Sequence, residues 1–146
     1  MAGHRTTGRF LFVYGTLMKG LQEGWQRKVG ARFVGRGRIN GKLYDLGKYP
    51  GAIFTDAGSG GYVKGELYKV RDPELATRIL DRFEEFSPRR PHKSLFLRVV
   101  ARVTLEDDRT EDAWVYVYNR PVDESKLIPS GDYREKLARR ERQATD

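Results

Sequence analysis

The chain has 146 residues, no Cys and two His (His4 and His92), and its 28 Lys and Arg against 20 Asp and Glu give a net charge of +8. The lack of Cys excludes disulfides, thiolate metal sites and Cys nucleophiles, and two His cannot form a multi-His metal centre within one chain. No apolar run approaches the roughly 20 residues of a membrane-spanning helix, and no signal-peptide core is seen, which predicts a cytoplasmic protein without a membrane partner. We expect one domain over residues 1–146, with flexible ends at 1–8 and about 140–146.

Short strands dominate the first half of the chain. Residues 9–14 are aromatic and β-branched and stop at Gly15, as a buried strand does. A short helix is expected at about 23–29. The pair Asn40-Gly41 is typical of a tight hairpin turn. Further strands, separated by glycine turns, are predicted at 32–39, 42–46, 52–55 and 63–70.

One helix is clearly indicated after these strands. Asp72 suits the N-cap and Pro73 the first helical turn. Apolar residues then recur at helical spacing and predict a single buried stripe, made of Leu75, Ile79, Leu80 and Phe83. The helix should end before Pro88, where a basic loop begins.

The second half is predicted to form a β-hairpin and a final helix. Strands are expected at 95–105 and 113–118, and a polar helix at 132–142. Since no repeat or linker interrupts the chain, these elements predict one α+β domain. Its expected architecture is a small, strongly bent mixed sheet or β-barrel with flanking helices.

The first candidate binding segment is Tyr14-Gly15-Thr16-Leu17, at the end of the first strand. Gly15 permits a sharp turn and a close approach of a ligand to the backbone. Successive backbone N–H groups in such a turn can hold an anion such as a carboxylate. The spacing alone favours an ordinary strand-ending turn.

The candidate catalytic residue is Glu84, near the end of the predicted helix. On a helical wheel it lies at the rim of the apolar stripe, whereas Asp81 and Glu85 fall on the opposite, solvated side. A carboxylate turned partly into an apolar interior has a raised pKa and can act as a general base. The wheel alone favours a surface position in which Glu84 pairs with a nearby Arg.

Basic residues cluster in the loop at 89–93 and in the final helix at 134–142. A net charge of +8 raises the possibility of a nucleic acid or another polyanion as partner. Neither cluster carries the motif of a DNA- or RNA-binding module, so specific nucleic-acid recognition is not favoured. The clusters also fit plain solvated surfaces, and the loop at 87–93 fits a lid that selects an anionic substrate.

Six segments, in this order, resemble the γ-glutamylcyclotransferase-like superfamily, closest in style to its AIG2-like and γ-glutamylamine cyclotransferase branch. Each segment is weak alone, but together they cover about residues 10–133. They are Phe12-Val13-Tyr14-Gly15-Thr16-Leu17, Gly41-Lys42-Leu43-Tyr44-Asp45-Leu46-Gly47, Val63-Lys64-Gly65-Glu66-Leu67-Tyr68, Leu80-Asp81-Arg82-Phe83-Glu84, Ser94-Leu95-Phe96-Leu97-Arg98 and Ala113-Trp114-Val115-Tyr116.

The resemblance implies a small β-barrel and an enzyme that cyclises a γ-glutamyl amide or γ-glutamylamine to 5-oxoproline with release of an amine. It implies no metal and no cofactor. It implies that the loop Tyr14-Gly15-Thr16-Leu17 holds the substrate's α-carboxylate and that Glu84 is the acid/base. Phe96 stands where the family has the Tyr of a Tyr-x-Arg motif and is a predicted substrate contact. Glu85 stands where the family usually has Gly.

Two other functions stay open on the sequence. One is a non-catalytic member of the same fold that binds a small carboxylated ligand. The other is a polyanion-binding protein that uses the basic loop and the final helix, with an affinity that falls steeply with salt. The exact substrate and the oligomeric state also stay open.

Overall fold

The computed structural model describes residues 9–15, 24–55 and 60–145. Within these ranges the chain forms seven strands, three α-helices and two short 3-10 turns, the latter at Pro91–Lys93 and Glu124–Lys126. The strands and helices are β1 (Phe10–Val13), α1 (Trp25–Val29), β2 (Ala31–Asp45), β3 (Pro50–Phe54), β4 (Tyr62–Val70), α2 (Pro73–Phe83), β5 (Phe96–Leu105), β6 (Thr110–Tyr118), β7 (Leu127–Ile128) and α3 (Tyr133–Thr145).

Five of the strands close into a barrel in the order β2-β4-β1-β6-β5, with β5 pairing back to β2. β1 and β6 run parallel, and the other neighbours in the barrel are antiparallel. β3 and β7 both pair with β2 and extend the sheet beyond the barrel. The α+β fold predicted from the sequence, a small mixed barrel with flanking helices, is therefore confirmed.

β2 is one continuous strand of 15 residues, and the hairpin predicted at Asn40-Gly41 is wrong. Neither residue has the positive φ that a tight hairpin turn needs. Instead, β2 changes partner here, pairing with β4 up to Asn40 and with β3 from Gly41 onward. A Cβ at Gly41 would lie 2.5 Å from the carbonyl oxygen of Ile53, so the glycine permits this close crossing of strands.

Helix α2 begins as predicted but buries a different face. The Asp72 carboxylate accepts a hydrogen bond from the Leu75 N–H at 3.2 Å, and Pro73 is the first helical residue. The buried residues are Ala76, Leu80 and Asp81. The expected apolar stripe is wrong in its orientation, because Leu75, Ile79 and Phe83 are 39%, 36% and 46% exposed.

The face that α2 buries against the barrel determines where Glu84 lies. Residues four apart share one face of a helix, and Glu84 continues the buried row of Ala76 and Leu80. Glu84 is accordingly only partly exposed to solvent. The packing of α2 therefore places the Glu84 carboxylate at the end of the barrel.

The remaining predicted elements differ from the structure at their ends. The expected helix at 23–29 is α1, which begins at Trp25, and the final helix continues to Thr145. The hairpin strand expected at 113–118 starts three residues earlier, at Thr110. In the part of the chain described, every helix is too short or too polar to cross a membrane.

Candidate functional site

An open pocket lies at one end of the barrel, beneath the C-terminus of α2. It is open to solvent and has a cavity volume of about 190 Å³. Its walls are formed by β1, the segment before β3, the end of α2, the start of β5 and the end of β6. The described lining residues are Phe12, Val13, Tyr14, Gly15, Tyr49, Pro50, Phe83, Glu84, Glu85, Phe96 and Tyr116.

Glu84 lies at the C-cap of α2, where its N–H donates to the Leu80 carbonyl at 2.8 Å. Within the described ranges, its carboxylate has no hydrogen-bond or ion-pair partner. Burial raises the pKa of this carboxyl from 4.5 to about 7. The surface position paired with an Arg, which the helical wheel favours, is therefore not observed.

Glu85 ends the helix in a left-handed conformation, with φ of 54°. The Phe86 N–H donates to the Asp81 carbonyl at 2.8 Å, and the Glu85 N–H to the Arg82 carbonyl at 3.3 Å. These two bonds form a Schellman motif, in which the left-handed residue is usually Gly. Glu85 thus occupies a glycine position and places an exposed carboxylate on the pocket wall.

Tyr14 lines the pocket, but its hydroxyl forms hydrogen bonds with the backbone of the neighbouring strands. The hydroxyl donates to the Tyr116 carbonyl at 2.6 Å and accepts from the Ala52 N–H at 3.1 Å. Burial, and then the negative charge of Glu84, raise the pKa of the Tyr14 phenol. The side chain therefore joins β1 to β3 and β6 at the pocket floor.

Gly15 follows Tyr14 along the same wall, directly against Pro50. A Cβ at Gly15 would lie 2.9 Å from the Pro50 Cγ, so only glycine fits this approach without a shift. Of the predicted segment Tyr14-Gly15-Thr16-Leu17, the structure brings the first two residues together with Glu84 in one pocket. Thr16 and Leu17 lie outside the described residues.

Phe96, the first residue of the barrel strand β5, contributes an aromatic side chain to the pocket. Its buried ring packs against Tyr49 at 5.9 Å and against Tyr118 at 5.6 Å between centroids. The predicted contact residue Phe96 is therefore in the same pocket as Glu84 and Gly15. Its apolar face suits the methylene groups of a small ligand.

Asp81 is the site-supporting residue that sequence reasoning missed, because the wheel placed it in solvent. The structure buries it against Arg98 and Tyr116. The guanidinium of Arg98 also lies over the Trp114 ring, 4.7 Å from its centroid. The only sequence signal is that Asp81 and Arg98 belong to two of the six matching segments, which does not say that they touch.

The basic surfaces are partly neutralised. In α3, Arg134, Arg139 and Arg140 form ion pairs with Glu66, Glu135 and Asp45 respectively. Residues of the 87–93 loop line a separate shallow hollow beside α2 and are not among the described lining residues of the Glu84 pocket. Among described residues, no group of three or more His, Asp or Glu is close enough to hold a metal ion.

Comparison with known proteins places the chain in a family. The family model "Gamma-glutamyl cyclotransferase, AIG2-like" matches residues 11–135. The chain belongs to this γ-glutamyl cyclotransferase family. Its six-segment resemblance to the superfamily is thereby confirmed, and the pocket with Glu84 and Gly15 is the pocket of a γ-glutamyl cyclotransferase-family protein.

Individual relatives extend over most of the chain. The γ-glutamylcyclotransferase family protein YtfP of Escherichia coli K12 is 35% identical over 125 residues, covering 84% of this chain and 94% of YtfP. The γ-L-glutamyl-butirosin B γ-glutamyl cyclotransferase of Niallia circulans is 34% identical over 111 residues, 75% of this chain and 67% of that protein. The crystal structure of an AIG2-like protein from Mus musculus superposes with a TM-score of 0.65 at 28% identity, over 86% and 87% of the two chains.

Proposed function

We propose that this protein is a γ-glutamyl cyclotransferase that converts a γ-glutamyl amide or γ-glutamylamine into 5-oxoproline and a free amine. One observation carries the proposal. The carboxylate of Glu84, without a partner in the described ranges and with a pKa of about 7, faces a pocket that also contains Gly15. The family and the name of the Niallia circulans relative, which acts on a γ-glutamyl compound, support the same chemistry.

The reaction needs little from the protein because the substrate carries both reacting groups. Its α-amine attacks its own γ-carbonyl carbon, a C–N bond forms, and a five-membered ring closes. The amide C–N bond then breaks and releases the amine. Holding the two ends in a curled conformation exploits the large advantage of an intramolecular reaction.

Glu84 is proposed to move the proton between the two nitrogens. Its carboxylate takes a proton from the attacking amine and then gives it to the departing nitrogen, so that the enzyme ends in its starting state. A pKa of about 7 leaves both forms of Glu84 populated near neutral pH. Such general acid/base catalysis is typically worth about 10²–10⁴-fold.

The backbone around Gly15 is proposed to bind the substrate's α-carboxylate, through the segment Tyr14-Gly15-Thr16-Leu17. Gly15 lines the pocket, and the close packing of Pro50 requires a residue without a side chain there. The Phe96 ring is proposed to pack against the glutamyl methylenes. Backbone N–H groups of this segment would also stabilise negative charge that develops on the carbonyl oxygen.

Release of 5-oxoproline from γ-glutamyl dipeptides and γ-glutamylamines tests this function. We expect turnover by the native protein and a loss of about 10²-fold or more in Glu84→Gln. Glu74→Gln, an exposed carboxylate in the first turn of the same helix, is the matched control and should retain activity. Full activity of Glu84→Gln contradicts the mechanism. Thermal stabilisation by these compounds without product favours the non-catalytic binding protein.

A further inference from the structure

Glu85 occupies a backbone conformation that its side chain disfavours. Its φ of 54° lies in the left-handed region, where a Cβ clashes with the backbone and Gly is preferred. A non-glycine residue in such a position often marks a functional site, because the strain persists only where the surroundings hold it.

The surroundings of Glu85 contain cations that it does not pair with. On one side it borders the shallow hollow lined by Arg82, Arg90 and Lys93. On the other side Glu85 lines the Glu84 pocket, where the burial of Tyr49 and, to a lesser extent, the charge of Glu85 raise the pKa of the Tyr49 phenol. It forms no ion pair with any residue in the described ranges. The carboxylate is thus close to Tyr49 and available to a ligand.

The charges on the pocket lining are one-sided. Glu84 and Glu85 are the charged residues of the lining within the described ranges, and no Lys, Arg or His accompanies them there. The rest of that wall is aromatic, with Tyr49, Phe83 and Phe96. Carboxylates beside aromatic faces bind organic cations, through ion pairing and cation–π attraction together.

We propose that Glu85 is a specificity-determining residue that selects γ-glutamyl derivatives whose leaving amine carries a second, positively charged amine. This inference rests on the proposed function and names its substrate class as the mono-γ-glutamyl amides of diamines. The substrate's own α-carboxylate is repelled by Glu84 and Glu85, which directs it toward Gly15. The leaving group then extends along the wall of Glu85 and Tyr49.

Three γ-glutamyl amides of equal length test the proposal: one of a diamine, one of an alkylamine and one of an ω-amino acid. We expect the native protein to prefer the cationic over the neutral compound, and the neutral over the anionic one, in kcat/KM for 5-oxoproline release. In Glu85→Gln and Glu85→Gly, the cationic-to-neutral ratio should fall by roughly two- to fivefold. Added salt should reduce the native ratio in the same direction. Glu74→Gln, the control on the same helix, should keep the native ratio.

Two results overturn the assignment of Glu85. One is a native preference for the anionic compound, which points to Arg82, Arg90 and Lys93 instead. The other is a cationic-to-neutral ratio that is unchanged in both Glu85 variants. If no compound is turned over, the proposed function fails, and calorimetric Kd values for the same three compounds still decide the role of Glu85. Tighter binding of the cationic compound, lost in Glu85→Gln, then supports it, and equal binding of all three contradicts it.

Discussion

Arg98 and Asp81 form a two-point ion pair beneath the end of the helix that carries Glu84. Arg98 Nε donates to Asp81 Oδ1 at 2.8 Å and Nη2 to Oδ2 at 3.3 Å, and the Tyr116 hydroxyl donates to the same Oδ1 at 2.6 Å. The pair joins the last turn of α2 to β5 and β6. Because Glu84 lies three residues after Asp81, this anchor fixes how α2 presents the proposed catalytic carboxylate to the pocket.

Removal of one partner from this pair should be strongly destabilising. The side chains of Arg98 and Asp81 are only 19% and 11% exposed, so Asp81→Ala leaves a cation without its counter-charge in a poorly solvated place. We expect a loss of about 3–5 kcal/mol in the free energy of unfolding, measured by urea denaturation. The control is Asp107→Ala, whose pair with Arg109 is 57% and 62% exposed, so its removal should cost far less stability than the removal of Asp81. Equal losses in the two variants contradict a stabilising role for the buried pair.

The pH dependence of turnover should follow Glu84. Only the ionised carboxylate accepts the proton of the attacking amine, and burial holds the pKa of Glu84 at about 7. We therefore expect kcat/KM for 5-oxoproline release to rise about tenfold per pH unit below 7 and to level off above it. The measurement is a rate profile from pH 5 to 9. A rate that changes little between pH 5 and 7, as expected if Glu84 had the ordinary Glu pKa of 4.5, argues against a desolvated base.

The same raised pKa predicts a pH-dependent gain of stability in Glu84→Gln. Between pH 4.5 and about 7 the unfolded state has released the Glu84 proton while the folded state still holds it, so stability falls as the pH rises through this window. The Gln variant lacks this loss. We expect it to be more stable than the native protein by about 3 kcal/mol at pH 8 and by little at pH 4. Chemical denaturation at the two pH values checks this, and a constant difference contradicts it.

Local patterns in the sequence predict most of the elements but not how they face each other. The N-cap of Asp72 and the strand before Gly15 follow from residue preferences over a few positions. The turn predicted at Asn40-Gly41 does not form, because pairing with β3 and β4 keeps both residues extended despite their local preference for a turn. The buried face of α2 is not predicted correctly because Asp81, held in an ion pair with Arg98, faces the barrel together with Ala76 and Leu80.

In the candidate site, too, the sequence predicts individual residues but not the contacts between them. The six matching segments predict Glu84, Gly15 and Phe96 as site residues, and all three line one pocket in the structure. They do not reveal that Asp81 pairs with Arg98, since that contact joins residues 17 positions apart through the closure of the fold. The strain at Glu85 also becomes visible only when its φ is known.

Tyr14→Phe should destabilise the barrel without removing the proposed carboxylate site. The lost hydroxyl is both a donor to the Tyr116 carbonyl and an acceptor from the Ala52 N–H, and the latter is left buried without a partner. We expect a loss of about 1–3 kcal/mol in the free energy of unfolding. Because the proposed site uses the main chain, KM should change little when measured well below the variant's melting temperature. A large rise in KM at unchanged stability assigns the hydroxyl to the substrate instead.

Glu85→Gly should raise the stability of the fold. The left-handed conformation costs a non-glycine residue about 1–2 kcal/mol, and part of this is offset by the greater freedom of Gly in the unfolded chain. A net gain of about 0.5–1 kcal/mol is therefore expected in urea unfolding. Glu85→Ala removes the carboxylate but keeps a Cβ at φ 54°, so it should show no comparable gain. Equal gains in the Gly and Ala variants assign the effect to repulsion between Glu84 and Glu85 rather than to the backbone.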